Sequence, residues 1–194
     1  MRPTRHDLAA AAGRTIPDVL SPGLSVVFCG INPGLYSAAT GYHFARPGNR
    51  FWPALYRGGF TPRLFAPPEQ TELLRYGLGI TNLVARGTAR ASELTTVELR
   101  DGGRLLESKL LSVQPAWVAV LGMSAYRAAF GRPRSTVGPQ PDRLGQSRVW
   151  VLPNPSGINA HHTLDTLAVE FARLRVAAQS PRSGGGDDLD LEQP

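Results

Sequence analysis

The sequence predicts an α/β fold in which helices cover both faces of a mostly parallel sheet. Two observations predict it. Short apolar segments alternate with longer segments of helical periodicity over residues 24–178, and this alternation is typical of α/β domains. The apolar segments are also hydrophobic at nearly every position, as in Trp117–Leu121, which is expected of strands that are buried on both faces.

The first half of this region contains two predicted strands and two predicted helices. Residues 24–29 form a short apolar run that predicts a buried strand. Residues 50–57 are predicted to be helical, with Asn49 as a plausible N-cap. Pro67–Tyr76 is also predicted to be helical, because prolines are favoured at the start of a helix. Residues 79–84 predict the second strand.

The second half begins with a long predicted helix over residues 95–113. Thr95 and Glu98 form a capping-box pattern at its start, and an apolar face follows at Leu99, Leu106, Leu110 and Val113. Gly102-Gly103 weakens the middle of this helix and favours close packing there. Two further strands, 117–121 and 149–152, are each followed by a helix, at 124–130 and 164–178.

Outside these elements the sequence predicts a loosely ordered leader over residues 1–23 and a disordered acidic tail over 179–194. The whole chain has a net charge of +6. Residues 181–194 contain one Arg and four acidic residues, so they carry −3 and the remainder carries +9. A basic body favours a polyanionic partner, although an arginine-rich codon bias would produce the same composition.

The single cysteine, Cys29, excludes an internal disulfide and a four-cysteine zinc or iron–sulfur site. Its place in an apolar run predicts a buried strand residue. No ligand set for a metal is visible, so no cofactor is expected. The longest apolar run is far shorter than a membrane span, and no signal peptide is recognisable. We therefore expect a cytoplasmic protein.

Two loops directly follow predicted strands, where ligands bind in α/β folds. The first, Gly30-Ile31-Asn32-Pro33-Gly34, would hold Asn32 rigidly at the carboxyl end of a strand. An Asn side chain is not a strong base, but it can orient a water molecule or contact the edge of a base. The alternative is a purely structural Asn-Pro turn.

The second loop, residues 153–159, contains two prolines and a glycine and carries Ile158 at its tip. An apolar side chain on a rigid loop suits a wedge between base steps; alternatively, Ile158 folds back into the core. Phe44, between the first loop and the first helix, is suited to stacking on a flat heterocycle or to a place in the core.

These segments resemble the family of mismatch-specific uracil-DNA glycosylase (Mug) and thymine-DNA glycosylase, over residues 24–178. The resemblance is carried by Gly30-Ile31-Asn32-Pro33-Gly34-Leu35, Asn49-Arg50-Phe51-Trp52, Gly79-Ile80-Thr81-Asn82-Leu83-Val84 and Asn154-Pro155-Ser156-Gly157. It implies a three-layer α/β/α glycosylase fold. Bacterial relatives usually have Arg directly after the wedge, whereas this chain has Ala160 followed by two histidines.

The same resemblance implies the roles of the site residues. Asn32 would position the hydrolytic water. The main chain of Ile31 and the loop at Ser37 would line the uracil pocket, and Phe44 would stack on the base. The segment Gly157-Ile158-Asn159 would enter the DNA double helix and contact the guanine that is left without a pairing partner.

The predicted function is that of a monofunctional DNA glycosylase, acting as a monomer at the start of base excision repair. It would flip uracil out of a G·U mismatch in double-stranded DNA and hydrolyse the N-glycosidic bond. Glu93 is a secondary catalytic candidate, the alternative being a solvated residue ahead of the Thr95 cap. A non-catalytic nucleic-acid-binding module on the same fold is the alternative function. A serine hydrolase lacks support, because no Gly-x-Ser-x-Gly elbow occurs.

Overall fold

A computed structural model describes residues 2–157 and 162–180. Within them a single sheet of five strands has the order β2-β1-β3-β5-β4. The strands are β1 (Val26–Gly30), β2 (Leu78–Asn82), β3 (Trp117–Leu121), β4 (Gly138–Leu144) and β5 (Ser147–Leu152). All pair in parallel except β4, which pairs antiparallel with β5 at one edge.

The register of the parallel strands brings their carboxyl ends to one edge of the sheet. Gly30 lies opposite Asn82, and Leu121 lies opposite Leu152. The loops that follow these strands therefore meet at the same edge, which is where open α/β sheets bind ligands.

Helices cover both faces of the sheet. They are α1 (Arg5–Ala10), α2 (Leu35–Thr40), α3 (Phe51–Arg57), α4 (Thr96–Val113), α5 (Met123–Phe130) and α6 (Leu164–Gln179), with 3₁₀ helices at Pro67–Tyr76 and Ala91–Glu93. One buried cluster joins alternate strand residues such as Phe28 to α3 and α6, and a second joins their neighbours such as Val27 to α4 and α5. The predicted α/β/α architecture is confirmed.

Helix α4 begins as the sequence predicts. The Thr95 hydroxyl accepts a hydrogen bond from the Glu98 N–H, and the Glu98 side chain accepts one from the Thr95 N–H. The paired glycines also allow close packing, because a Cβ on Gly102 would lie 2.4 Å from the carbonyl oxygen of Leu83.

Strand β4 and the short helices α1 and α2 were not predicted. The sequence of β4, GPQPDRL, alternates between buried and exposed positions and contains two prolines, which are tolerated only on an edge strand. Helices α1 and α2 have six residues each, too few for a helical period to be recognised.

Residues 2–23, predicted as a loose leader, pack against the sheet. Val19 exchanges main-chain hydrogen bonds of 2.9 Å with Ile80 of β2. Asp18 forms a 2.6 Å ion pair with Lys109 of α4 and accepts a hydrogen bond from the Thr81 hydroxyl. The structure therefore differs from the expected loose attachment. The predicted tail lies almost entirely outside the described residues. No helix among the described residues could span a membrane.

Candidate active site at the carboxyl edge of the sheet

A cleft of about 440 Å³ opens at the carboxyl edge of the parallel strands. Its walls come from the loop after β1, the segment before α3, the end of β2 with its following loop, and the loop after β5. The side chains that matter for chemistry are Asn32, Ser37, His43, Phe44, Asn82 and Asn154. Two loops predicted from sequence thus meet at one cleft, which is large enough for a single nucleobase.

Three oxygen atoms fix the orientation of the Asn32 side-chain amide. Its Nδ2 lies 2.7 Å from the Thr88 hydroxyl, 3.0 Å from the Arg86 carbonyl and 3.2 Å from the Pro33 carbonyl. The N–H bonds of the amide are therefore engaged within the protein. The carbonyl Oδ1 accepts no hydrogen bond from any described residue, which leaves it able to accept one from a water molecule.

Phe44 forms an aromatic wall of the cleft. Its ring stacks on Phe51 of α3, with centroids 4.0 Å apart and planes inclined by 21°, so one face of the ring is occupied by the core. Its backbone has φ 54°, the left-handed conformation that side chains rarely adopt and that is found preferentially at functional sites. The opposite face is suited to stacking on a base.

Gly30 allows this wall to approach the end of β2. A Cβ at Gly30 would lie 2.5 Å from Asn82 Oδ1 and 3.2 Å from Phe44 Cζ. Any side chain at this position would displace both groups that line the cleft. The glycine is therefore required by close packing, and its φ is unexceptional.

Ile31 and Ser37 also line the cleft, as the resemblance implies. The buried Ser37 Oγ accepts a hydrogen bond of 3.1 Å from the Ala45 N–H. It thereby holds the segment that carries Phe44 against α2. The main-chain carbonyl of Ile31 accepts a hydrogen bond from the Val84 N–H, which ties the β1 loop to the β2 loop.

His43 and Asn82 were not identified from the sequence. His43 is 1% exposed and Asn82 is 7% exposed, and both contribute to the wall of the cleft. Burial lowers the pKa of the His43 imidazole, since the charged ring would be poorly solvated there. Asn82 lay within the predicted strand 79–84 and within a motif that carries the family resemblance, but no role was assigned to its side chain.

Arg50, the N-cap residue of α3, holds the loop after β5. Its Nη2 donates to the Ser156 carbonyl at 2.6 Å and its Nη1 donates to the His162 carbonyl. Its main-chain N–H donates to the Pro155 carbonyl at 2.9 Å. The guanidinium thus joins the two ends of the segment that contains residues 158–161.

The predicted wedge is described only at Gly157. A Cβ there would lie 2.6 Å from the Gly48 carbonyl oxygen, so the loop passes close to the segment before α3. Ile158, Asn159 and Ala160 lie outside the described residues. Their predicted role in DNA stays a prediction.

Glu93 does not line the cleft. Its side chain is exposed, and its carboxylate accepts a 2.8 Å hydrogen bond from the Arg90 N–H at the start of its own 3₁₀ helix. The structure thus gives it a capping contact and brings no carboxylate of this segment to Asn32.

Two exposed arginines, Arg46 and Arg90, flank the cleft. Neither forms an ion pair with an acidic residue in the part of the chain that the structure describes. Other arginines, by contrast, form ion pairs with carboxylates elsewhere on the surface. Arg86, for example, lies 2.5 Å from Glu98. The mouth of the cleft is therefore basic, which favours a phosphate-containing ligand.

Cys29 lies on β1 and is fully buried, as predicted. Burial raises the pKa of its thiol, which favours the neutral form, and Cys29 is not among the residues that line the cleft. The described residues also contain no group of three His, Cys, Asp or Glu side chains arranged to hold a metal ion.

Comparison with known protein families agrees with this geometry. The model of the uracil DNA glycosylase superfamily matches residues 17–175, which include all five strands and every cleft side chain named above. The match covers well over half of the chain. The chain therefore belongs to the uracil DNA glycosylase superfamily and is a DNA glycosylase that hydrolyses the bond between uracil and the DNA sugar.

Proposed function

We propose that this glycosylase acts on G·U mismatches in double-stranded DNA, as Mug-type enzymes do, and that it works as a monomer. The observation that carries the proposal is the fixed amide of Asn32 beside a cleft the size of one base. Unstacking a base costs a few kcal/mol and costs least when the base is mispaired. A slow enzyme without a strong base would therefore act preferentially where pairing is already weak.

In the proposed complex the extruded uracil stacks on the free face of Phe44. The Oδ1 atom of Asn82, which accepts no hydrogen bond from the described residues, would accept the N3–H of the base. Arg46 and Arg90 would contact phosphates on either side of the extruded nucleotide. A flipped uridine in DNA supplies a group for each contact: the face of the base for Phe44, its N3–H for Asn82 and the phosphate backbone for the two arginines.

Hydrolysis would begin with a water molecule bound to Asn32 Oδ1 and directed at the sugar carbon. As the N-glycosidic bond breaks, positive charge develops on the sugar and negative charge on the base, by analogy with glycoside hydrolysis. Main-chain N–H groups of residues 30–35 would stabilise the departing base anion. The described residues that line the cleft include no carboxylate that could act as a general base, so we expect slow turnover.

The proposal is tested by incubating the protein with a labelled duplex containing a single G·U mismatch and cleaving abasic sites with alkali. Asn32→Ala should lower single-turnover uracil release by about 100-fold or more, since loss of an oriented catalytic group costs about 10²–10⁴-fold. Duplex affinity should stay within a few-fold. Retention of most of the activity would contradict the role of Asn32, and equal release from G·U and A·U would contradict mismatch preference.

The wedge is tested separately with Ile158→Ala. If Ile158 fills the gap left by the extruded base, the substitution should reduce release from a duplex more than release from single-stranded DNA. Loss of an inserted aliphatic side chain corresponds to about 1–3 kcal/mol, or roughly 5- to 150-fold. Equal losses on both substrates would show that Ile158 supports the fold instead.

A further inference from the structure

A second large cavity lies at the edge of the sheet opposite to the cleft. This cavity, which we call the amino-edge groove, has a volume of about 790 Å³. It is formed by the segment before β3, by the hairpin that joins β4 to β5, and by the end of α6. Trp117 and Arg148 line it and lie opposite each other near the starts of β3 and β5. The groove is therefore separated from the cleft by the length of the strands.

Two arginines of the groove lie side by side without a counter-charge. Arg143 of β4 is paired with Arg148 of β5 in the antiparallel ladder. Like charges directly opposite each other on neighbouring strands destabilise a sheet. Neither guanidinium forms an ion pair with a carboxylate in the described part of the chain, and none of the described residues that line the groove is acidic. The groove thus favours an anionic occupant.

The groove also has an apolar side. Arg148 lies over the Trp117 ring, with its guanidinium carbon 5.4 Å from the ring centroid. Pro115, Ala116 and Ala178 contribute further apolar surface to the lining. An occupant that matches this groove would therefore combine negative charge with apolar side chains.

The chain itself continues from the groove into a segment of that composition. Ser180, the last residue that the structure describes, lines the groove. Residues 181–194, which we call the acidic segment, contain four acidic residues and one arginine. Six residues, three of them glycines, separate Ser180 from the first acidic residue, Asp187. Glycine allows a chain to reverse its direction at little steric cost, so the carboxylates are within reach of the groove.

We propose that the acidic segment binds in the amino-edge groove of its own chain and shields Arg143 and Arg148 from DNA. Residues 188–192 alternate between acidic residues and leucines. Successive side chains of an extended chain point to opposite sides. An extended segment would thus direct carboxylates toward the two arginines and leucines toward Trp117.

This contact has a consequence for DNA binding. Residues 1–180 carry +9, and arginines without a counter-charge bind phosphates of any sequence. DNA held at the amino edge could not present a base to Asn32, because the cleft lies at the opposite edge. A segment of the same chain competes with DNA at a high effective concentration. The carboxyl edge is then left as the surface at which duplex DNA binds.

The first test locates the acidic segment by paramagnetic NMR. A nitroxide is attached to the isotopically labelled full chain at Gln193→Cys; Cys29 is fully buried and should not react. We expect stronger broadening of the amide signals of residues 114–117 and 143–148 than of residues 30–35 in the cleft. The difference should disappear at about 1 M salt, where the Debye length is only about 3 Å.

Matched arginine variants show whether the charges of the groove hold the segment. The double variant Arg143→Gln, Arg148→Gln should lose the selective broadening. Arg134→Gln is the control and should keep it. Arg134 is exposed and precedes β4 at the carboxyl edge, where Gly138 pairs with Val151. Thermal unfolding of each variant confirms that it is folded.

The second test measures the shielding. Affinity for a duplex without uracil is measured against salt for the full chain and for a chain whose acidic segment is neutralised by Asp187→Asn, Asp188→Asn, Asp190→Asn and Glu192→Gln. Neutralisation should steepen the slope of log affinity against log salt by up to about two, one for each exposed arginine. In the Arg143→Gln, Arg148→Gln background the same neutralisation should leave the slope unchanged.

Broadening that is strongest at residues 30–35 would place the acidic segment over the cleft and overturn the proposal, as would equal broadening at both edges. A mixture of spin-labelled and isotopically labelled molecules separates binding within one chain from binding between two. Selective broadening of the same strength in that mixture would assign the groove to a second copy and overturn binding within the chain. A salt slope that neutralisation does not change would overturn the shielding.

Discussion

At the scale of single residues, the chemistry of the cleft depends on side chains that fix other side chains. Asn32 is oriented by Thr88, whose hydroxyl accepts from Asn32 at 2.7 Å and donates to the Arg90 carbonyl at 2.9 Å. The Thr88 main-chain N–H also donates to the Pro33 carbonyl. Thr88 therefore links the loops that follow β1 and β2.

Thr88→Val should lower uracil release while leaving the fold and duplex binding nearly intact. Valine has the shape of threonine but cannot accept the Asn32 hydrogen bond, so Asn32 Oδ1 would lose its fixed direction. The loss of one buried hydrogen bond costs about 1–1.5 kcal/mol, equivalent to roughly a tenfold lower rate. Single-turnover kinetics on a G·U duplex provide the measurement.

Thr88→Ser is the matched control, because it keeps the hydroxyl, and it should retain most of the rate. If Thr88→Val is as active as the unmodified protein, then the contacts with Arg86 and Pro33 are sufficient to orient Asn32.

At the scale of secondary-structure elements, α4 packs closely against the end of β2, which contributes to the wall of the cleft. Its residue Gly102 lies against the Leu83 carbonyl, directly after β2 and one residue from Asn82. On the opposite face of the sheet, Phe28 stacks on Phe171 of α6 with centroids 5.6 Å apart, and Phe51 connects this cluster to Phe44. The walls of the cleft thus rest on close helix contacts on both faces.

Gly102→Ala should destabilise the protein, although alanine is the better helix former by about 1 kcal/mol. The added Cβ would lie 2.4 Å from the Leu83 carbonyl, and backbone shifts of this kind cost about 1–3 kcal/mol. We expect a lower Tm in thermal unfolding and, because β2 is displaced, a lower rate of uracil release.

Ser108→Ala is the control on the same helix. Ser108 is exposed, so alanine should leave Tm unchanged or raise it slightly. A rise in Tm for Gly102→Ala comparable with that of Ser108→Ala would show that α4 does not pack closely on Leu83.

At the scale of the whole molecule, charge is distributed unevenly. The body carries +9 against −3 in residues 181–194, and the arginines at the mouth of the cleft have no carboxylate partner among the described residues. Since DNA is the substrate, affinity should fall steeply with salt as phosphate contacts release counterions.

Arg46→Gln should reduce the slope of log affinity against log salt by about one, the contribution of a single phosphate contact. Arg148→Gln should leave this slope unchanged, because Arg148 lies over the Trp117 ring at the amino ends of β3 and β5, far from the cleft. Binding is measured by fluorescence anisotropy with a G·U duplex from about 50 to 200 mM salt. An identical slope in both variants would place the phosphate contacts elsewhere.

The sequence by itself determined the elements whose signals are local. Apolar runs fixed four strands, and the capping box at Thr95 fixed the start of α4. Because the carboxyl ends of parallel strands share one edge, the sequence also predicted that the loop with Asn32 and the loop over residues 153–159 lie where a ligand binds, and both contribute to the cleft. Phe44 was a candidate for stacking, and the structure places it on the wall.

Only the tertiary structure decided which groups orient the site. His43 meets Asn82 across 39 positions of sequence, Asn32 meets Thr88 across 56, and Arg50 meets His162 across 112. Such contacts leave no local pattern, because their residues are neighbours only after the sheet has assembled. The position of Glu93 outside the cleft and the packing of residues 2–23 were likewise decided by the tertiary structure. Periodicity and capping act within a few residues, whereas the direction of a side-chain amide is set by the groups that the fold brings next to it.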